Sequence, residues 1–297
     1  MGRKKHKLKH SIRKVLKKRA PNRSLLGDVF ILIMLLAIGA FLALPLVLVI
    51  SNAFKPLDEI FLFPPRFFVR NPTMNNFRDL LVLMSNSWVP FTRYFFNTIF
   101  MTAVGTAGHV IVASMAAYAL EKHGFPGSKT FFKIIITTLM FSPVVTAIPN
   151  YLTMSKIGFL DSYLSIIIPA FGFPLGLFLM KQFMVNVPNS LIESARLDGA
   201  SEWKILWKVV MPMVKPAWLT LVIFSFQGLW NATGGTYIYS EELKTLPYAL
   251  NQIRLGGIAR QGTGAAVQLL MLIVPVTMFI ITQSNIIETM ASSGLKE

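Results

Sequence analysis

ESARLDGASEWKILWKVVMP, residues 193–212, is charged and amphipathic, yet it lies between two segments that are almost wholly apolar. In its lead-in, VPNSLIE (187–193), Pro188 closes the helix that precedes it. Ser190 and Glu193 have the spacing of a capping box, in which the hydroxyl takes a backbone N–H and the carboxylate reaches back. The spacing predicts a short helix from Leu191 to about Asp198. Gly199 stands where a helix-terminating glycine belongs, because that site needs a positive φ. Ser201 is placed to cap a second helix, with Glu202 in its first turn. Leu206, Val209 and Val210 continue toward the next apolar segment, which Pro212 and Pro216 frame. The stretch thus reads as helix, glycine turn, helix.

The segments around it decide the fold class. Of 297 residues, 54% are hydrophobic and only 14% charged, whereas soluble domains are about a quarter charged. A hydrocarbon core about 30 Å thick takes roughly 20 helical residues per crossing. Six apolar segments of that length, 28–51, 95–120, 131–154, 163–185, 213–232 and 265–287, predict an all-α polytopic membrane bundle. The alternating ten-residue segments of a membrane β-barrel are missing. With no cysteine, disulfides and thiolate chemistry are excluded.

Charge sets the expected orientation. Residues 1–24 hold eleven Lys or Arg and no acid, which explains most of the net charge of +16. Nucleic-acid binding is one reading of such a run. Beside a membrane span, a cytoplasmic anchor on anionic lipid is the reading adopted, with no nucleic-acid partner. A signal peptide has an apolar region of about 7–15 residues, and Val29–Ile50 is longer, so it reads as a retained first span. Six crossings then put both termini and the 188–212 loop in the cytoplasm. Two domains result: a basic tail, 1–24, and a six-helix transmembrane domain, 25–297. The long loops 52–94 and 233–264 fall outside, broken by FPPRFFVRNPT (63–73) and GGIARQGTG (256–264).

A helix as short as 191–198 is not stable alone and must dock on something. The residues themselves leave three choices open: the chain's own bundle, the lipid interface, or another protein.

Here the stretch resembles the cytoplasmic signature of permease subunits of ATP-binding-cassette importers: Glu-Ala-Ala, three residues, Gly, nine residues, then Ile-x-Leu-Pro. This chain has Glu193, Ser194, Ala195, then Gly199, then Val209-x-Met211-Pro212 at the same spacing. Ser194, Val209 and Met211 are conservative departures. RLDGASEWKILWKVVMPMVKPA (196–217), NPTMNNF (71–77), FNTIFMTAV (96–104), AAYALEKHGFPGSK (116–129) and KTLPYAL (244–250) resemble the carbohydrate, maltose-type branch. The likeness runs from about residue 25 to the end. It implies a coupling helix that sits in a groove on a separate ATPase, with Gly199 making the turn. Glu193 is implied as a polar contact or cap, Arg196 and Asp198 as contacts to the ATPase, and Ser194 and Ala195 as part of the signature. It also implies a second homologous permease as heterodimer partner, two ATP-binding subunits that carry ATP and magnesium, an extracellular solute-binding protein and a sugar cargo. No cofactor is expected in this chain, and no catalysis.

Other classes read poorly. GFPGSKT (124–130) lacks the adjacent Gly-Lys of a phosphate-binding loop. Ion-coupled carriers place ionisable groups at mid-membrane. Here Asp28, Lys133 and Lys181 lie near span ends, where they can snorkel. His109 alone lies near mid-span, either as a pH-sensitive relay or as a hydrogen-bonded helix contact. Glu241 and Glu242 read as a solvated pair rather than as paired catalytic carboxylates. An importer of another solute, such as a glycerol phosphate, stays open as the alternative, and an ion-coupled carrier more remotely.

Sugars are held by aromatic faces and by amide or carboxyl groups. FSFQGLWNATGGTY (224–237) brings Gln227, Trp230, Asn231 and Tyr237 to the outer end of the fifth span. Trp230 also fits plain interfacial anchoring. Asn150 and Tyr151, near the outer end of the third span, are further candidates for the substrate pathway.

Overall fold

The computed structural model describes residues 25–86 and 88–293, and the basic tail 1–24 lies outside the described residues. The regular structure among the described residues is helical: α1 (Leu25–Phe54), α2 (Leu57–Ile60), α3 (Asn75–Ser85), α4 (Phe91–Tyr118), α5 (Ser128–Thr138), α6 (Pro143–Lys156), α7 (Leu164–Phe171), α8 (Pro174–Val185), α9 (Asn189–Leu197), α10 (Glu202–Ile205), α11 (Met211–Met213), α12 (Lys215–Trp230), α13 (Leu246–Arg254) and α14 (Gln261–Ser293). One π turn, Ala119–His123, extends α4, and another, Leu206–Val210, joins α10 to α11. Among the described residues, four stretches are long and apolar enough to cross a membrane: Leu26–Phe54, Phe91–His123, Leu164–Val185 and Ile258–Ile281. Two bent pairs, α5 with α6 and the 202–213 helix with α12, bring the total to six if each is one span.

The third expected span, 131–154, is not one rod. It breaks between Thr138 and Pro143, and the two pieces meet at 111°. Ser142 sits with an extended backbone before Pro143 and accepts from the Val144 N–H, which starts a new helix. A proline ring disfavours helical geometry in the residue before it. The fourth span, 163–185, also pauses, at Gly172 and Phe173 ahead of Pro174, but stays a single crossing.

α4 is the centre of the bundle, packed against α7, α8, α12 and α13. Lipid gives apolar helices no hydrophobic reason to associate, so close backbone approach has to hold them together. Glycine provides it. A Cβ on Gly108 would lie 2.0 Å from the Phe171 ring, and one on Gly176 would lie 2.0 Å from His109 Nε2. His109 is buried, and its Nδ1 lies 2.8 Å from the Ala170 carbonyl, so Nδ1 carries the proton and donates. The residue is the helix contact of the two readings offered.

α1 differs. It is apolar on every side and packs mainly on α14, leaving large side chains such as Phe30, Leu36 and Phe41 exposed. Such a helix belongs in lipid or against another membrane chain.

Candidate functional site

At one end of the bundle lies the stretch 188–212. α9 begins at Asn189, two residues earlier than expected, with Pro188 at its N-cap and no side-chain cap bond. Ser190 is already helical, so the capping box with Glu193 does not form. A proline at the N-cap also has no N–H for the carboxylate to reach. The other end follows the sequence reading. Gly199 has φ +78°, its N–H reaches the Arg196 carbonyl at 3.0 Å, and the Ala200 N–H reaches the Ala195 carbonyl at 3.0 Å. These two bonds form a Schellman motif, which satisfies carbonyls that the helix end leaves open. Ser201 caps α10, its hydroxyl accepting from the Lys204 N–H. Pro212 falls inside α11, just after the π turn, and Pro216 opens α12 across an 87° bend.

α9 docks on its own bundle by one face. Ile192 is buried among Met184, Val187, Ile205 and Leu206, with Ala195 packed beside it. The other face is free: Leu197 is 90% exposed, and Leu191, Glu193, Ser194 and Asp198 are exposed too. Arg196 is exposed as well and also bonds within the chain. Its Nε donates to Glu202 Oε1 at 2.6 Å, across the glycine turn. Glu202 Oε2 accepts from Tyr118 Oη at 2.7 Å and lies 3.4 Å from His123 Nε2. The Arg196 hydrogen bond first, and the Tyr118 hydroxyl second, hold the Glu202 carboxyl below the usual range. Lys122 Nζ donates to the Val187 carbonyl at 2.7 Å and to Asn189 Oδ1 at 3.1 Å. Lys181, expected to snorkel, instead donates to Glu121 at 2.6 Å and lies over the Phe132 ring. The tie of α4 to α9 and α10 through Tyr118, Lys122 and Glu202 was missed in the sequence, because its partners are 65 and 84 residues apart along the chain.

At the opposite end, the 233–245 loop is stitched to α4. Asn97 is fully buried: its Nδ2 donates to the Glu242 and Lys244 carbonyls at 2.8 and 2.9 Å, and its Oδ1 accepts from Tyr163 Oη at 2.7 Å. Glu241 is not simply solvated, since it accepts from Tyr94 Oη at 2.8 Å. Asp161, with φ 54°, accepts from the N–H groups of Tyr239 and Ser240 and from the Ser240 hydroxyl. The Ser240 hydroxyl and N–H hold its carboxyl below the usual range.

The candidate sugar residues divide into three. Trp230 is buried, stacked on Phe226, and gives its indole N–H to the Met271 carbonyl at 3.3 Å. Tyr151 and Tyr237 meet, their rings stacked with centroids 6.3 Å apart, and Tyr151 Oη lies 2.8 Å from Tyr239 Oη. Asn150 is exposed beside them. Gln227 and Asn231 line a separate cavity of about 510 Å³. Among the described residues no cluster of His, Cys, Asp and Glu is placed to hold a metal ion.

Residues 109–290 match the profile of the family described as binding-protein-dependent transport system inner membrane component. Protein LplC of Bacillus subtilis (strain 168) is 31% identical over 209 residues, which cover 69% of this chain and 67% of LplC. The polygalacturonan/rhamnogalacturonan transport system permease protein YtcP of the same organism is 28% identical over 239 residues, covering 80% and 81%. In the crystal structure of a bacterial ABC transporter involved in the import of the acidic polysaccharide alginate, one chain has the same fold. Its TM-score is 0.73 at 23% identity, covering 89% of this chain and 99% of that one. The family profile spans more than half of the sequence and takes in the Gly199 turn, the bent 202–230 unit and most of α14, so this chain is a multi-pass membrane permease that belongs to the binding-protein-dependent transport system inner membrane components.

Proposed function

We propose that this permease imports oligosaccharides as one half of a heterodimer, driven by two separate ATP-binding subunits and supplied by an extracellular solute-binding protein. The 188–212 end faces the cytoplasm in this reading, as the positive charge of the tail requires. α9 is the coupling helix, with Gly199 setting its turn, and ATP and magnesium act on the partner subunits. The observation that carries the reading is the two-faced docking of α9: Ile192 and Ala195 hold it to the permease, and Leu197 is turned outward at 90% exposure. In this reading Leu197, and Leu191 with it, enter a groove on the ATPase. Glu193, Ser194 and Asp198 border that face. Arg196 and Asp198 are the charged contacts to the ATPase in this reading, with Arg196 also bonded through Nε to Glu202. The cargo class rests on the relative named for polygalacturonan and rhamnogalacturonan transport. The stacked Tyr151 and Tyr237 rings offer such a cargo a flat surface.

The test is purification of the chain from native membranes in mild detergent, with intact-mass counting of what accompanies it. One second permease and two ATPase copies are expected. Leu197→Asp should keep the permease pair and lose the ATPase. A chain that arrives alone, or only with itself, sinks the reading.

A further inference from the structure

The cavity that Gln227 and Asn231 line is rich in polar side chains. α12 contributes those two amides, α13 contributes Asn251 and Arg254, and α14 contributes Gln268. Five polar side chains from three helices converge on one space of about 510 Å³, inside the range of small-ligand sites. The turn of α1 from Pro45 to Val49 forms an apolar wall.

Four of these five polar side chains make no hydrogen bond within the described residues. Asn97 shows what a structural amide does in this protein: it is buried, and both ends are bonded. Gln227, Asn251, Arg254 and Gln268 are exposed to the cavity side, and none of their side chains makes a hydrogen bond or ion pair among the described residues. Asn231 spends its amide nitrogen on the Gln227 carbonyl at 2.8 Å and keeps its oxygen.

Charge narrows the ligand. Arg254 is the one ionised side chain among the residues that line the cavity, and no carboxylate lines it. Its stem lies along α14, with Cγ only 3.4 Å from where a Cβ on Gly264 would sit. A guanidinium fork binds carboxylate or phosphate through two parallel hydrogen bonds. Amides suit hydroxyls, and an apolar wall suits the C–H face of a sugar ring.

From this arrangement we infer that the cavity is a subsite for an anionic group on the transported sugar, with Arg254 as its charge and the four amides as hydroxyl contacts. The inference rests on the oligosaccharide reading and sharpens it: the cargo is acidic.

The experiment uses the whole importer in proteoliposomes, with saturating binding protein and ATP inside. Uptake is measured for three probes: trigalacturonate, its uncharged methyl ester, and sn-glycerol 3-phosphate. Wild type should carry trigalacturonate. Arg254→Gln should cut that uptake by about tenfold or more, the scale of a charge-assisted pair. Arg254→Lys, which keeps the charge, should fall between the two, and ATP hydrolysis should persist in both variants. If glycerol phosphate alone is carried, the cargo is not an acidic sugar and the inference is overturned. The inference is overturned if Arg254→Gln leaves trigalacturonate uptake unchanged. It is overturned too if acid and ester uptake fall equally, as an architectural or lipid-headgroup role demands. Uptake of the ester alone, or of no probe by an assembled, ATP-hydrolysing complex, also overturns it. Failure of the oligosaccharide-importer reading itself shows as a purified chain with no ATPase attached, or as glycerol phosphate carried with neither sugar probe, whereas failure of the subsite alone shows as trigalacturonate uptake that Arg254→Gln leaves unchanged.

Discussion

Gly199 separates two kinds of constraint at a single residue. A Cβ there meets nothing within 4 Å, so space is not the issue. The backbone is: φ is +78°, in the left-handed region where an L-side chain costs about 1–2 kcal/mol. Asparagine tolerates that region better than branched residues do. Gly199→Asn should therefore keep ATP hydrolysis coupled to uptake, and Gly199→Val should uncouple them, read as the ratio of sugar carried to ATP hydrolysed. Equal ratios in the two variants would remove the conformational account. Glu202 gives a second expectation at this scale. Its carboxyl is held below the usual value, so the stabilisation it brings is present above the unfolded pKa, about 4.3, and is lost as pH falls through the lower folded value. Amide exchange at residues 189–200, corrected for its intrinsic pH dependence, should be flat from about pH 6 to 9. It should quicken only in acid below about pH 4. Quickening near neutral pH would point to another group. Gly199 and Ser201 were legible in the sequence because each acts on its own backbone. Glu202 was not, because Tyr118 and His123 reach it from another helix.

Between elements, the bundle is held by contacts that exclude even a methyl group. Gly176 lets α8 lie on His109, whose ring is fixed by its bond to Ala170. Gly176→Ala should lower the thermal stability of the detergent-solubilised chain by about 1–3 kcal/mol, the usual cost of overpacking. Adding His109→Ala should restore part of that loss, because the clash disappears with the ring. Independent, additive losses in the double variant would place the strain elsewhere. Apolar length was enough to find most spans in the sequence. It was not enough to find the 111° break in the third, since an apolar run looks the same whether straight or folded back. The signal was Ser142 before Pro143, a start for a new helix inside an apolar run. Gln227 and Asn231 were picked out as neighbours on α12, but their company with Asn251, Arg254 and Gln268 depends on how α13 and α14 return to it.

Across the whole molecule, one helix reaches both working ends. Asn97 near the start of α4 holds the carbonyls of 242 and 244, and Tyr118 at its end holds Glu202. The rise of an α-helix puts those two residues roughly 30 Å apart. α1, α6, α7 and α14 each carry an internal proline, whereas α4 has none in its 28 residues. A span without a proline hinge, clamped at both tips, works as a pushrod. On the coupling proposed above, a stroke delivered to Glu202 from beneath the bundle is expected at the far loop as a displacement, rather than being absorbed as bending along the way.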